Sequence, residues 1–298
     1  MAMDAHDVAV TKPIPLRHPW RWAGGALLIG LAAAFVQLLV FNANMQWGVV
    51  GAYLFDGEIL AGLGRTLLLT ALAMIIGLAV GMLLAVMRLS DNPVFQAASW
   101  AWIWFFRGVP PLVQLIFWYN LALLIPRIGI GIPFGRAFVS WDTNVLITPF
   151  SAAILGLSLT ESAYAAEMIR AGIKAISTGQ SEAAASLGMS RIQALRRIIL
   201  PQALRILIPP IGNDTISMLK FTSLVSVLAL PDLLYSAQMI YSRTYQTIPL
   251  LIVVTIWYLV LSTALTFMEH YIEHAMAVGR TAPARLVPRT SWWRLARA

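Results

Sequence analysis

Several runs of this chain are too long and too apolar to sit in a water-soluble domain. Residues 22–41 carry no charged side chain, and residues 60–87 carry only Arg65. A helix rises ~1.5 Å per residue and the hydrocarbon layer is ~30 Å thick, so each run is expected to cross a bilayer. Composition agrees: 59% of the 298 residues are hydrophobic and 11% are charged, whereas a soluble domain carries roughly 25% charge. The expected class is an all-α, polytopic membrane protein.

Reading along the chain gives about six spans. Residues 1–21 are polar, with Lys12, Arg17 and Arg21, and are expected to form a cytoplasmic tail. No A-x-A cleavage site follows residues 22–41, so an uncleaved first span is expected, with an outer loop reaching residue 57. The second span is expected at 60–87. Residues 94–106 hold Trp100, Trp102 and Trp104 and are expected to lie at the interface, before a third span at 110–126. A loop at 127–148 precedes a fourth span at 149–173. A fifth apolar stretch, 201–231, is expected to break at Pro209-Pro210. A loop at 232–247 leads to the last span, 248–268. The resulting division is a tail (1–21), an extra span with its loop (22–57), a transport core (58–270) and a basic tail (271–298).

The net charge of +8 follows the same plan. One set of loops holds the first tail's basic residues, Arg88, Lys174, Arg191, Arg196, Arg197 and the arginines from Arg280 to Arg297; the other holds Arg127, Arg136 and Arg243. The positive-inside rule then puts both termini and residues 174–200 in the cytoplasm. No nucleic-acid motif accompanies the charge, so nucleic acid is not an expected partner. The chain has no cysteine, which excludes disulfides and thiol catalysis.

Residues 174–201 read KAISTGQSEAAASLGMSRIQALRRIILP. Ser177 with Gln180, and Ser190 with Gln193, have capping-box spacing, so a helix is expected to start at each serine. Gly188 suits the left-handed residue that closes the first helix. The second is expected to run from Arg191 to just before Pro201. The first helix presents an alanine-rich face that can lie close to a partner.

These residues also carry a resemblance. Glu182-Ala183-Ala184, Gly188 and Ile198-Ile199-Leu200-Pro201 fit E-A-A-x3-G-x9-I-x-L-P, the EAA loop of ATP-binding-cassette importer permeases, at every fixed position. Phe106-Arg107-Gly108-Val109-Pro110-Pro111-Leu112-Val113-Gln114 resembles the F-R-G-T-P-x-L-V-Q segment of the polar amino-acid permeases, departing from it at Val109. Ala163-Tyr164-Ala165-Ala166-Glu167 with Arg170-Ala171-Gly172-Ile173, and Lys220-x-Thr222-Ser223-Leu224, resemble the same subfamily over roughly residues 58–270.

The resemblance implies a type I importer permease in a bacterial inner membrane. Two cytoplasmic ATPase subunits would dock on Glu182, Ala183, Ala184, Gly188 and Arg191. A second permease copy or a paralogue would complete the pathway, and a soluble binding protein would deliver an amino acid to the outer loops. No cofactor is expected on this chain; ATP and Mg belong to the ATPase.

Ionisable groups at membrane depth cost roughly 2.5–3.5 kcal/mol on insertion scales, so they tend to face a bundle interior or a cavity. Glu161 is expected to line the pathway, or else to be a structural carboxylate hydrogen-bonded to neighbouring backbone or paired with Lys220 or Arg107. Tyr164, Glu167, Arg107, Gln114, Asn213 and Asp214 are further pathway candidates. Lys220 could hold a substrate carboxylate, with Thr222 and Ser223 as donors, or pair with Asp214. His270 and His274 have metal-binding spacing but sit on a polar helix face, and no metal site is expected. A gradient-driven secondary transporter would leave the EAA loop unexplained. An enzyme lacks support: there is no G-x-S-x-G, H-E-x-x-H or G-x4-G-K-[ST] motif.

Overall fold

A computed structural model describes residues 19–132 and 137–277. Lys12, Arg17, Arg136 and the arginines from Arg280 onward lie outside the described residues. The chain divides into two units, residues 1–45 with 280–298, and residues 46–279. The described part of the first is helix α1 (Pro19–Phe41) and a 3-10 turn, Ala43–Met45. Its large apolar side chains, from Leu27 to Phe41, are exposed. A helix that is apolar all round suits lipid as solvent.

The second unit opens with a short helix, α2 (Trp47–Tyr53), and the long α3 (Gly57–Leu89). Asp56 caps α3 by accepting from the Glu58 N–H at 2.8 Å. Its main partner is α8 (Pro149–Lys174), which starts on a capping box between Thr148 and Ser151. The two helices meet along a run of small residues: Ala73, Gly77, Gly81 and Ala85 on α3 face Ser158, Ser162 and Ala165 on α8. A Cβ on Gly81 would lie 2.6 Å from Ala165 Cβ and 3.0 Å from Ser162 O. Four-residue spacing of small residues lets backbones approach in this way where lipid supplies no hydrophobic drive between helices.

The expected helix at 94–106 forms, and a separate helix starts at Pro111 as expected but stops at Tyr119, short of the expected end at 126. Helix α4 (Pro93–Gly108) packs on α3 and α8 and buries Ser99, Ile103 and Phe106. Trp102 Nε1 donates to Ser162 Oγ at 3.0 Å, and Ser99 Oγ to Leu84 O at 2.8 Å. After a break at Val109–Pro110 the chain continues as α5 (Pro111–Tyr119) and one turn, α6 (Leu121–Leu124). With 16 and 9 residues, α4 is ~24 Å long and α5 ~14 Å.

The segment 127–148 is more than a loop. It contains a two-stranded antiparallel hairpin, β1 (Arg127–Gly131) and β2 (Ala137–Asp142), then one turn, α7 (Thr143–Leu146).

Pro209 and Pro210 do not break the fifth apolar stretch. Helix α10 (Arg191–Ala194), a π-turn (Leu195–Ile199) and α11 (Leu200–Phe221) run on through Pro201 and both later prolines. A proline pair deprives only two carbonyls of their donors, whereas unwinding would expose many more backbone groups in an apolar medium. The break falls later. A 3-10 segment, Thr222–Leu228, ends at Ala229 with φ 54°, and α12 (Leu233–Thr244) leaves at a bend of 45°. Thr222 and Ser223 hydroxyls donate to the carbonyls of Leu219 and Lys220, competing for acceptors where the helix tightens.

Helix α12 occupies the expected 232–247 loop. Asp232 caps it, and the Leu233 N–H donates to Thr66 Oγ1 on α3 at 3.1 Å. The last helix, α13 (Thr247–Ala277), packs on α11, α12 and α2 and extends past the expected end of its span. One apolar core joins Leu69, Leu115, Leu157, Met218 and Val225; a second joins Ile59, Leu233, Leu250 and Val253. Among the described residues Trp22–Phe41, Gly57–Leu89 and Thr247–Met276 are each long and apolar enough to cross a membrane.

Candidate coupling surface and membrane pathway

Helix α9 (Thr178–Ser186) follows α8 by a short turn at Ser177. The Ser177 side chain makes no cap bond, so the first expected capping box is not formed. The second is: Ser190 Oγ accepts from Gln193 N–H at 3.3 Å, and Gln193 Oε1 from Ser190 N–H at 2.9 Å. Between them Gly188 has φ +73°. Met189 N–H donates to Ala184 O at 3.1 Å and Gly188 N–H to Ala185 O at 2.9 Å, the two bonds of a Schellman motif. The loop is therefore a closed helix–turn–helix. Gly188→Ala forces a Cβ into the left-handed region at about 1 kcal/mol. We expect faster limited proteolysis between Ala184 and Ser190, whereas Gly179→Ala leaves the loop protected.

One expected contact residue faces the wrong way. Ala184 is fully buried, turned toward α10 and the π-turn that packs on α9. Glu182 and Ala183 are exposed, as are Gly188 and Arg191. The side of the loop turned to water carries apolar residues as well: Leu187 is 79% exposed, Ile192 76% and Leu195 42%. Large apolar side chains presented together by a capped, water-facing element mark an interaction surface. Sequence reasoning missed them, although the leucine beside Gly188 and the isoleucine after Ser190 were in view. Arg191 lies 3.7 Å from Asp91, both fully exposed, which adds little energy but places the α3–α4 turn at the same end of the bundle as the loop.

Within the bundle the candidate residues separate into groups. Pro110 has no N–H, so Phe106 O lacks its helical donor. Gln114 Nε2 supplies one, donating to Phe106 O at 3.0 Å and Val109 O at 2.8 Å, while its Oε1 accepts from Thr160 Oγ1 on α8 at 3.0 Å. Gln114 is buried and clamps the α4–α5 break. Next to the break, the Arg107 guanidinium lies over the Tyr164 ring, 5.2 Å from its centroid, with both residues exposed.

Glu161 does not line an open surface. It is buried against Gly77, where an added Cβ would be 2.5 Å from Glu161 Cβ. Among the described residues neither Lys220 nor Arg107 forms an ion pair with it. Glu161 Oε1 and Ser158 Oγ, one turn apart, have no hydrogen-bond partner. Glu167 receives two bonds from Arg170, at 3.0 and 2.6 Å, and so is paired within its own helix. Asn213 and Lys220 are exposed on α11, Asp214 is half-buried, and no ion pair joins Lys220 to Asp214 among the described residues. Thr222 is buried and Ser223 half-buried, both bonded to backbone.

Long apolar helices packed through small residues and joined at one end to a capped helical loop make a polytopic membrane protein of the kind that transports solutes. The chain belongs to the family of binding-protein-dependent transport system inner membrane components, whose pattern matches residues 77–278. It is 42% identical over 280 residues to the arginine transport system permease protein ArgU of Corynebacterium glutamicum, covering 92% of this chain and 87% of that one. The histidine/lysine/arginine/ornithine transport system permease protein HisM of Escherichia coli is 34% identical over 210 residues, covering 70% and 85%. The fold superposes on an amino acid ABC transporter crystallised with histidines at a TM-score of 0.62 and 35% identity, covering 73% of this chain and 94% of that one. This chain is thus a permease subunit of an ABC importer, and ATP hydrolysis is the work of a separate chain.

Proposed function

We propose that the chain carries amino acids, those with basic side chains among them, across the bacterial inner membrane. The observation that carries this reading is the rigid loop with exposed Leu187, Ile192 and Leu195, which offers a separate ATPase a surface to move. Two ATPase subunits sit on two such loops, one from this permease and one from a second copy or a paralogue. A binding protein delivers substrate at the other end. In this reading the chain makes six crossings, by α1, α3, the α4–α5 pair, α8, α11 and α13, with both termini on the cytoplasmic side. The extra segment 22–57 precedes a transport core at 58–270.

ATP-driven approach of the ATPases pulls the two loops together, and the stiff α9–α11 connection passes that movement to the spans. Inward-open and outward-open states then exchange by population shift, biased by contacts that differ between them. An amino acid needs a partner for each of its charges. The Arg107–Tyr164 pair and Asp214 supply the two signs, with Asn213, Lys220, Thr222 and Ser223 along the same helices.

The test is uptake by proteoliposomes holding the permease with its ATPase and binding protein. Uptake of a labelled basic amino acid should require internal ATP and survive collapse of ion gradients; the opposite pattern would favour a secondary transporter. Arg107→Gln removes a charge-assisted contact, at about 1.5–3 kcal/mol, so uptake should fall at least about tenfold with the complex still assembled. Unchanged uptake kinetics would remove Arg107 from the pathway.

A further inference from the structure

The β1–β2 hairpin is amphipathic, and among the described residues its apolar face is left mostly exposed, with Ile128 half-buried. Register pairs Ile128 with Trp141 and Ile130 with Val139, and these four share one face. Arg127 with Asp142 and Gly129 with Ser140 share the other. On the apolar face Ile130 is 68% exposed, Val139 50% and Trp141 43%. A lone two-stranded hairpin is marginal in water and needs its apolar face packed against something.

We propose that this hairpin lies flat on the bilayer, at the headgroup–acyl boundary of the leaflet opposite the Glu182 loop. The hairpin precedes α8 and the loop follows it, so they mark opposite ends of a 26-residue helix, ~39 Å apart. The apolar surface does not stop at the strands. Leu123 and Leu124 on α6 and Val145 on α7 are exposed on either side of them. Contacts of α5 with α6, α6 with α7 and α7 with β2 make the hairpin continuous with α5, where Val113 and Phe117 are exposed as well. Trp141 supplies the aromatic ring that prefers this depth, and Arg127 and Asp142 keep the far face in water. A soluble partner that comes and goes would leave this face bare between visits, whereas lipid is always present. The hairpin would then brace the outer end of the α4–α5 element through its own strands.

The absence of native cysteine makes the test direct. Ile130→Cys and Val139→Cys on the apolar face, and Ser140→Cys on the polar face, are each labelled with an environment-sensitive fluorophore. The full chain is then placed in nanodiscs with nitroxide lipids or with aqueous iodide. Ile130 and Val139 labels should be quenched several-fold more by shallow lipid nitroxide than the Ser140 label, and iodide should reverse the order. Equal iodide quenching at all three positions would overturn the proposal. So would protection of Ile130 and Val139 from both quenchers, which would mean a protein surface, whether a second copy or a binding protein, covers the face. A label at Ala183, at the other end of α8, should be open to iodide in every case, which separates failure of this inference from failure of the membrane reading.

Discussion

Gly81→Val is expected to remove most of the folded permease. The new side chain would enter the α3–α8 contact, where Ala165 Cβ at 2.6 Å and the backbone atoms Ser162 O and Ala166 N at 3.0 and 3.1 Å surround its Cβ. None of these is the free end of a flexible side chain, so the helices themselves must part. Overpacking costs about 1–3 kcal/mol even where some adjustment is possible. This contact also positions Trp102 against Ser162, so its loss spreads to α4. Against a total stability of about 5–15 kcal/mol, the midpoint of thermal aggregation in detergent should drop by about 5–10 °C, with little protein in the membrane fraction. Gly64→Ala, which meets nothing within 4 Å, should behave as wild type. Equal stability of the two variants would show that α3 and α8 do not meet at Gly81.

Leu187→Asp should produce the opposite pattern, with a stable permease and no ATP-driven uptake. Leu187 is exposed within the chain, so its replacement disturbs no internal contact. Covering a leucine by a partner is worth about 1.5–3 kcal/mol, and a carboxylate placed in the same apolar contact adds its own desolvation cost. At 1.4 kcal/mol per tenfold, the ATPase should bind about 10- to 100-fold more weakly. Co-purification of the two chains measures it. Normal co-purification and normal uptake would remove Leu187 from the docking surface.

The long elements were legible because their signals are long. The apolar run around residues 60–87 forecast α3, and Gly188 forecast its own left-handed turn, since only glycine enters that region without strain. What was not legible depended on tertiary contact. Pro110-Pro111 marked a break correctly, but not that the Trp-rich helix before it packs on α8. Pro209-Pro210 looked like a stronger break than Thr222–Leu228, because local chain chemistry does not report how costly unwinding is in lipid. The alanines of the loop gave no sign of which one faces inward, and burial of Ala184 is decided by α10 and the π-turn. Glu161 stood out as an ionisable group in an apolar run, but its burial against Gly77 on another helix could not be read from α8 alone. The hairpin was missed because Gly and Pro around residues 129–135 read equally well as an irregular loop.

The account rests on a separate ATPase docking on the loop between α8 and α11. The most direct measurement is a single cysteine at Ala183, exposed where Ala184 is not, cross-linked with a short reagent in native membranes. Mass spectrometry then identifies the partner. A cross-linked chain carrying a G-x4-G-K-[ST] phosphate-binding loop is the predicted result. No cross-link, with the Ala183 position shown to react freely with a water-soluble thiol reagent, would contradict it.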